Sequence, residues 1–341
     1  MRLADQIAQC RIPFIVENTF DRQTTRLTNA ADFSSAVIAC PTRYSLSDGL
    51  VGLCCALAFS KGSRTLACAD LLRVPAERVW IEWCEAPWTG ELERYGFQPG
   101  AKAPHQTGRR GALIQSCLQG RRGLIKTFWA NGCHDPEILA SSMEAYFDFD
   151  TDEGDDPTPP DGQCRAAFGV SHADDLDADI LRRCFRFRFE KSWQDYYQRA
   201  RLSSSQEHAI VRHALGTISF DIPLVVAFLL LLATRPGLPR RPIMLGRLNQ
   251  TRVKSGKAPL LEHVEVTCPL LPEYRPSDGA SPRDHARRGP RLHHVRGHLV
   301  RRGSQISWRV PHLRGNSRSG VVRTRTVTWS VESSPGQPRD G

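Results

Sequence analysis

Short apolar runs separated by turn residues fill the first 150 positions, and this pattern predicts a mixed α/β domain over 1–150. Residues 78–85 alternate apolar and polar side chains, so they are predicted to form a strand that is broken at Pro87. A second strand is predicted at 35–40. The two apolar runs within 111–132 flank a glycine-rich turn, which is typical of a β-hairpin.

A helical middle is predicted beyond an acidic, proline-rich stretch. Residues 151–173 are expected to be an exposed linker, and 174–235 a helical segment. The run at 222–233 is apolar on every face, so we expect a helix at the centre of a core, with Asp221 as its N-cap. Because this run has twelve residues, it is shorter than a membrane span, and no membrane partner is expected. The Phe/Arg alternation at 185–189 leaves open whether a strand interrupts the helices.

Residues 236–341 are predicted to be a basic antiparallel β region with a flexible loop at 277–290. Gly303–Ser304 suits a two-residue hairpin turn, since glycine adopts the backbone conformation that the first turn position needs. Counting outward from this turn places His298 opposite Arg309. The predicted class is therefore α+β, with a mixed N-terminal part, a helical middle and a basic antiparallel β C-terminal part.

This register sorts the hairpin into two faces. The apolar face carries Val295, Leu299, Ile306, Trp308 and Val310. The cationic face carries His294, Arg296, His298 and Arg309, and a third strand within 319–331 adds Arg323 and Arg325. Arginine suits phosphate through bidentate, charge-assisted hydrogen bonds, so these six residues are the predicted nucleic-acid-binding set. A solvated sheet face without a ligand is the alternative.

Basic charge is concentrated at the C-terminal end. The chain has 46 Lys and Arg against 36 Asp and Glu, a net charge of +10. Residues 275–341 hold fourteen Arg and four acids, so this last fifth carries the whole excess. Such a block favours a polyanionic partner, with nucleic acid first and an acidic protein surface second. A short basic helix upstream supplies the predicted secondary contacts Arg247, Arg252, Lys254 and Lys257.

No motif for catalysis, a cofactor or a metal emerges. The eleven Cys scatter without a CxxC pair in mostly apolar contexts, and the N-terminus lacks a signal-peptide pattern, which predicts a reducing, cytoplasmic location. An EF-hand starting at Asp148 needs Gly and Glu where the chain has Glu153 and Pro159. Zinc binding by His294 and His298 lacks a third ligand. We therefore expect no cofactor or bound metal, and a non-enzyme more than an enzyme.

Three segments carry recognisable motifs. An RGH…RR…W hairpin pattern is met by Arg296, Gly297, His298, Arg301, Arg302 and Trp308. An LNxxRxxxGKxPLL pattern is met by Leu248, Asn249, Arg252, Gly256, Lys257, Pro259, Leu260 and Leu261, and the third segment is 71–87. Together they resemble an uncharacterised protein family of proteobacterial phages and prophages. The resemblance implies a phage or prophage origin and assigns no activity.

We therefore expect a phage- or prophage-derived accessory protein that binds nucleic acid through its C-terminal Arg/His hairpin. The alternative is a non-enzymatic host-interaction protein whose basic face binds an acidic protein partner. The salt dependence of binding to a duplex separates the two, because phosphate contacts release counterions.

Overall fold

The computed structural model of the chain describes residues 2–9, 14–18, 23–26, 30–59, 66–94, 108–130, 138–150, 184–190, 206, 214–216, 218, 220–234, 237–268, 291–295, 298–303, 305–309, 312–314 and 316–321. These residues form α-helices and β-sheets, which confirms the α+β class. The chain divides into two compact units. The first unit is Met1–Pro269 with Val300–Trp308, and the second is Leu270–Leu299 with Arg309–Gly341.

The helices of the first unit are α1 (Leu3–Gln9), α2 (Ala30–Ile38), α3 (Asp48–Phe59), α4 (Glu85–Arg94), α5 (Asp221–Leu232) and α6 (Gly246–Lys254), with a 3₁₀ turn at Leu66–Leu71. Its main strands are β1 (Phe14–Asn18), β2 (Gln23–Arg26), β3 (Thr42–Leu46), β4 (Arg78–Cys84), β5 (Arg109–Cys117), β6 (Arg122–Ala130), β7 (Ile138–Ala140), β8 (Met143–Asp148), β9 (Phe185–Phe189), β10 (Arg240–Ile243) and β11 (His263–Val266).

These eleven strands form one mixed sheet in the order β10-β11-β3-β4-β5-β6-β7-β1-β2, with β8 beside β6 and β9 beside β8. The central strands β11, β3 and β4 are parallel, whereas β4-β5-β6 and β6-β8-β9 are antiparallel. The hairpin predicted within 111–132 is formed by β5 and β6. The Phe/Arg alternation at 185–189, for which a strand was left open, forms β9. This sheet combines strands from the predicted segments 1–150, 174–235 and 236–341. The first unit therefore extends across the predicted segment boundaries. The predicted linker at 151–173 and the loop at 277–290 lie outside the described residues.

Helices α1 and α2 cover one face of the sheet. Phe33 of α2 meets Phe128 of β6 edge to face, with ring centroids 5.4 Å apart, and Phe128 also lies 5.8 Å from Trp80 of β4. Phe33 and Val37 are both buried and are four positions apart, so this segment buries one helical face. The strand predicted at 35–40 is therefore wrong, because a short apolar run does not by itself distinguish a strand from a helix.

The strand predicted at 78–85 is confirmed as β4, which ends at Cys84, and α4 begins at Glu85. Pro87 lies in the first turn of this helix, where its missing N–H would have had no partner within the helix.

The opposite face of the sheet is covered by α3 and α5. Tyr44 of β3 meets Phe228 of α5 at 5.4 Å, and Phe59 of α3 lies 6.2 Å from Phe220 just before α5. All residues of α5 from Asp221 to Leu231 are buried, so the predicted core helix is confirmed. The stretch Ala214–Leu232 is by length and composition apolar enough to cross a membrane, and 81% of its most apolar part is buried here. A helix at the centre of a folded core meets the same criterion.

The start of α5 is held by a buried ion pair. Arg110 of β5 donates from Nε and Nη2 to the two carboxylate oxygens of Asp221, over 3.0 and 2.8 Å, and from Nη1 to Glu85 over 3.0 Å. Its guanidinium also lies over the rings of Trp88 and Trp129. The N-cap residue is Phe220, and it makes no side-chain cap, so the N-cap role predicted for Asp221 is wrong. Burial acts to lower the pKa of Arg110, but the two carboxylates outweigh it and raise that pKa.

The beginning of the acidic stretch belongs to the sheet. Phe147 and Phe149, which precede the predicted linker, are buried and stacked with ring centroids 4.7 Å apart. Asp148 pairs with Arg122, and Asp150 pairs with Arg121. Both carboxylates are therefore engaged by arginine within the fold.

A buried lysine lies in the middle of β6. Lys126 is 1% exposed, and its ammonium donates to the carbonyl of Ser141 over 2.7 Å. Burial lowers the pKa of Lys126 to about 8, and the nearby carboxylates of Glu144 and Glu190 only partly oppose this. Because its pKa is lowered, Lys126 makes the free energy of unfolding depend on pH above about pH 8.

The C-terminal strands are β12 (Arg291–Val295), β13 (His298–Arg302), β14 (Gln305–Arg309), β15 (His312–Arg314) and β16 (Asn316–Val321). Strands β13 and β14 form a two-stranded sheet, and Gly303 between them has φ +56°, as the predicted turn requires. In the second unit, β12 pairs with β15, with Val295 opposite His312. This is the register obtained by counting from Gly303–Ser304. The third strand, β16, begins before the predicted 319–331 and runs parallel to β12.

Cysteine pairing is absent from the part of the chain that the structure describes. Cys40, Cys54, Cys55, Cys68, Cys84, Cys117, Cys184 and Cys268 are all free thiols. Five of them are buried within the fold, in keeping with their apolar sequence contexts.

Breaking the Arg110–Asp221 pair should unfold the first unit more readily. Asp221→Ala leaves a buried guanidinium short of its main counter-charge, which costs about 3–5 kcal/mol of unfolding free energy in urea denaturation. Glu265→Ala breaks the exposed Arg241–Glu265 pair and should cost under about 1 kcal/mol. An Asp221→Ala protein as stable as Glu265→Ala would show that the buried pair does not hold α5.

Lys126 should make stability rise with pH. Between about pH 8 and the higher pKa of an unfolded lysine, the unfolded chain binds a proton that the folded chain does not, so raising the pH favours folding. We expect the wild type to gain at most about 1.4 kcal/mol per pH unit relative to Lys126→Met in this window, from urea denaturation at pH 8.0 and 9.5. Other titrating groups are common to both proteins and cancel. Parallel stability curves would contradict the lowered pKa.

Candidate nucleic-acid interface

The open edge of the large sheet carries an excursion rich in basic residues. Strand β10 ends the strand order, and the chain passes from it through α6 and a short loop into β11. We call residues 240–257 the basic edge segment. It contains six cations and no acid: Arg240, Arg241, Arg247, Arg252, Lys254 and Lys257. Its charge is therefore uniformly positive along eighteen residues.

Helix α6 within this segment buries no residue. Arg247, Lys254 and Lys257 are exposed, and none of the three makes an ion pair with another described residue. Arg241 differs, because it pairs with Glu265 of β11. Three cations of the segment are thus uncompensated by the described part of the chain.

The inward side of α6 is clamped to its own following loop by Asn249. The side-chain amide of Asn249 donates to the carbonyl of Leu260 over 2.9 Å, and its oxygen accepts from the Leu260 N–H over 2.8 Å. This reciprocal pair imitates one rung of a β-ladder. It satisfies both backbone groups of Leu260 and fixes the rotation of the helix.

A second clamp closes the C-terminal end of α6. Arg252 donates from Nε to the carbonyl of Ala258 over 2.9 Å, and the N–H of Lys257 returns to the carbonyl of Arg252 over 2.8 Å. Gly256 has φ +68°, the left-handed conformation that terminates helices and that glycine adopts without strain. The structure therefore turns Arg252, a predicted secondary contact, toward the loop, where it is half-buried.

The base of the excursion is anchored to the body of the first unit. The buried carboxylate of Asp5 in α1 accepts from the N–H of Leu261 over 2.7 Å, and Arg2 donates to the carbonyl of Leu261. Arg43 in β3 donates to the carbonyl of Glu262 over 3.3 Å. Side chains of α1 and β3 thus hold the backbone at the end of the loop. This loop follows α6, so the hydrogen bonds also restrain the position of the helix.

With Asn249 and Arg252 facing inward, helical periodicity places a polar stripe on the outward side. The stripe consists of Arg247, Gln250, Thr251 and Lys254, all of which are exposed. Their spacing of three, four and seven positions aligns them along one face of α6. Arg247 and Lys254 are predicted contacts, whereas Gln250 and Thr251 are not, although the spacing that aligns all four is visible in the sequence.

Apolar side chains flank the stripe. Met244 is 74% exposed, Leu248 48% and Val253 59%. On the helix, Leu248 and Val253 fall on opposite margins of the stripe rather than at its centre. The outermost surface of α6 is therefore polar and cationic.

The primary predicted residues, at the C-terminal strands, are only partly described. His298 and Arg309 are exposed. His294 lies in β12, opposite Leu313 of β15. Arg296, Arg323 and Arg325 lie outside the described residues.

Strand β14 shows the predicted alternation. Ile306 and Trp308 are buried, at 3% and 9% exposure, whereas Gln305 and Arg309 are exposed. On β13, Arg301 forms a two-point pair with Asp70, over 2.8 and 2.7 Å, and Arg302 is exposed. The charge of Arg301 is therefore balanced by Asp70, and Arg302 is the exposed arginine of β13 for which no acidic partner is described.

Metal-binding geometry does not occur among the described residues, where no group of three or more His, Cys, Asp or Glu side chains is arranged to hold an ion. The basic edge segment contains no such side chain at all. Its chemistry is that of hydrogen-bond donors and positive charge.

Comparisons with known proteins found no match: no family model, no curated protein and no solved structure is significantly similar to this chain.

Proposed function

We propose that this protein binds nucleic acid through the basic edge segment, and that the exposed cations of the C-terminal strands add to the affinity. The observation that carries the proposal is the uncompensated pair Arg247 and Lys254 on the outward side of a clamped helix that buries no residue. Cations held in place and left without an acidic partner favour a polyanion. The phage or prophage origin remains part of the proposal, on the motifs alone.

Rigid placement matters for the energetics of such a surface. A flexible basic tail must be ordered when it binds, whereas α6 is already held by Asn249, Arg252 and the anchor at Leu261. Binding phosphate then costs little backbone entropy. The surface is suited to a regular array of phosphates.

The C-terminal strands supply a second source of positive charge. Arg302 and Arg309 are exposed, and residues 275–341 carry the entire net charge of the chain. Long-range attraction from this charge raises the rate of association with a polyanion, and the effect falls as salt is added.

An acidic protein partner is the second candidate. The exposed Met244, Leu248 and Val253 favour it, because large apolar side chains at the margin of a charged patch are typical anchors of protein interfaces. In that case Leu248→Ser with Val253→Ser should weaken binding to the partner while leaving affinity for nucleic acid unchanged.

Removing two cations of the stripe should weaken nucleic-acid binding and change its salt dependence. For Arg247→Ala with Lys254→Ala, we expect the slope of log affinity against log salt to fall by about 1.8 on duplex DNA, since each lost phosphate contact removes about 0.9. The slope is obtained from the affinity for a labelled duplex, measured by fluorescence anisotropy at salt concentrations between roughly 50 and 200 mM.

The control for this measurement is Arg188→Gln. Arg188 is paired with Glu144 on β9, which lies across the sheet from the open edge at β10. This variant removes one formal charge away from the basic edge segment and should leave the slope unchanged. The proposal fails if the wild type binds neither duplex nor single strand, or if the double variant binds as the wild type does.

A further inference from the structure

We propose that α6 enters the major groove of duplex DNA, with Gln250 and Thr251 facing the base edges and Arg247 and Lys254 contacting phosphate. This inference rests on the proposed nucleic-acid binding and names its target. It concerns the outward stripe of α6, whose neutral members have no role in binding by charge alone.

The dimensions of α6 suit this groove. An α-helix with its side chains is about 10–12 Å across. The major groove of B-form DNA is about 12 Å wide and admits an α-helix. No residue of α6 is buried, and no further strand of the sheet lies beyond β10, so the described part of the first unit leaves the stripe open to a partner.

The side chains of the stripe match the groups displayed in that groove. The glutamine amide both donates to and accepts from adenine, and the threonine methyl packs on the thymine methyl. Gln250 and Thr251 lie between Arg247 and Lys254 on the helix surface. Gln250 and Thr251 carry no charge, so their contribution to binding can be separated from that of Arg247 and Lys254.

The clamps supply the precision that base contacts need. Asn249 and Leu260 fix the rotation of α6, and Asp5 and Leu261 fix its base. Base recognition depends on placing donors and acceptors within a few tenths of an ångström, and such placement requires side chains on a rigid element. Phosphate neutralisation has no such requirement.

The arrangement argues against a lipid surface as the partner. A helix that lies in a membrane interface points its apolar side chains toward the lipid as one continuous face. In α6, Leu248 and Val253 lie on opposite margins, and the outward centre between them is polar. The charge and the polar stripe together fit a duplex.

The test compares a DNA duplex with an RNA duplex of the same sequence, using the full-length protein and fluorescence anisotropy. The major groove of A-form RNA is too deep and narrow for side chains to read. We expect the wild type to bind the DNA duplex at least about tenfold more tightly. Gln250→Ala with Thr251→Ala should abolish this preference and leave the salt slope unchanged, because no charge is removed. Thr267→Ala, an exposed neutral position after β11, is the matched control.

A second measurement selects bound sequences from a pool of duplexes with randomised positions. The wild type should enrich a defined sequence, and Gln250→Ala should relax the preference at one A·T position. Equal affinity for DNA and RNA duplexes, or no enrichment, would overturn the major-groove inference while leaving the proposed function intact. Loss of binding to every nucleic acid would overturn both. Thermal melts of each variant confirm that the fold is unchanged.

Discussion

A single buried guanidinium ties the parts of the first unit together. Arg110 comes from the hairpin strand β5, its main partner Asp221 begins the apolar helix α5, and its second partner Glu85 begins α4. A charge that is 6% exposed is strongly destabilising unless it is paired, so these elements must be brought together correctly for the fold to be stable. The guanidinium also lies over the indole rings of Trp88 and Trp129. The apolar helix itself would pack against many surfaces, and the ion pair specifies one.

Once α5 is in place, the chain that follows completes the sheet. Strand β11 adds in parallel to β3, and β10 adds to β11 and closes the strand order. The connection between these two strands therefore projects from the edge of the sheet, where nothing else in the described structure competes for space. The basic edge segment occupies this position. Its site is a consequence of how the core is closed, and its support comes from Asp5 and Arg43, which belong to the same core.

Within that segment, inward and outward residues have different tasks. Asn249, Arg252 and Gly256, which belong to the motif at 248–261, face the loop and shape the helix end. Arg247, Gln250, Thr251 and Lys254 project outward, and the hydroxyl of Thr251 donates to the carbonyl of Arg247 within the helix. The motif residues hold the helix in place. The residues of the outward stripe can therefore vary without loss of the fold.

Local chemistry alone determined several features of this protein. The burial of α5 followed from a run with no polar face, the hairpin β5–β6 from two apolar runs about glycines, and the pairing of β12 with β15 from counting outward from Gly303. The helix α6 and the concentration of charge were likewise visible in the sequence. Tertiary structure decided the rest. It made residues 30–38 a helix, because Phe33 and Val37 had a sheet face to cover, and it turned Arg252 toward the loop. It also gave Asp221 a partner 111 positions away, which no local pattern encodes, because the pairing exists only after the sheet has formed.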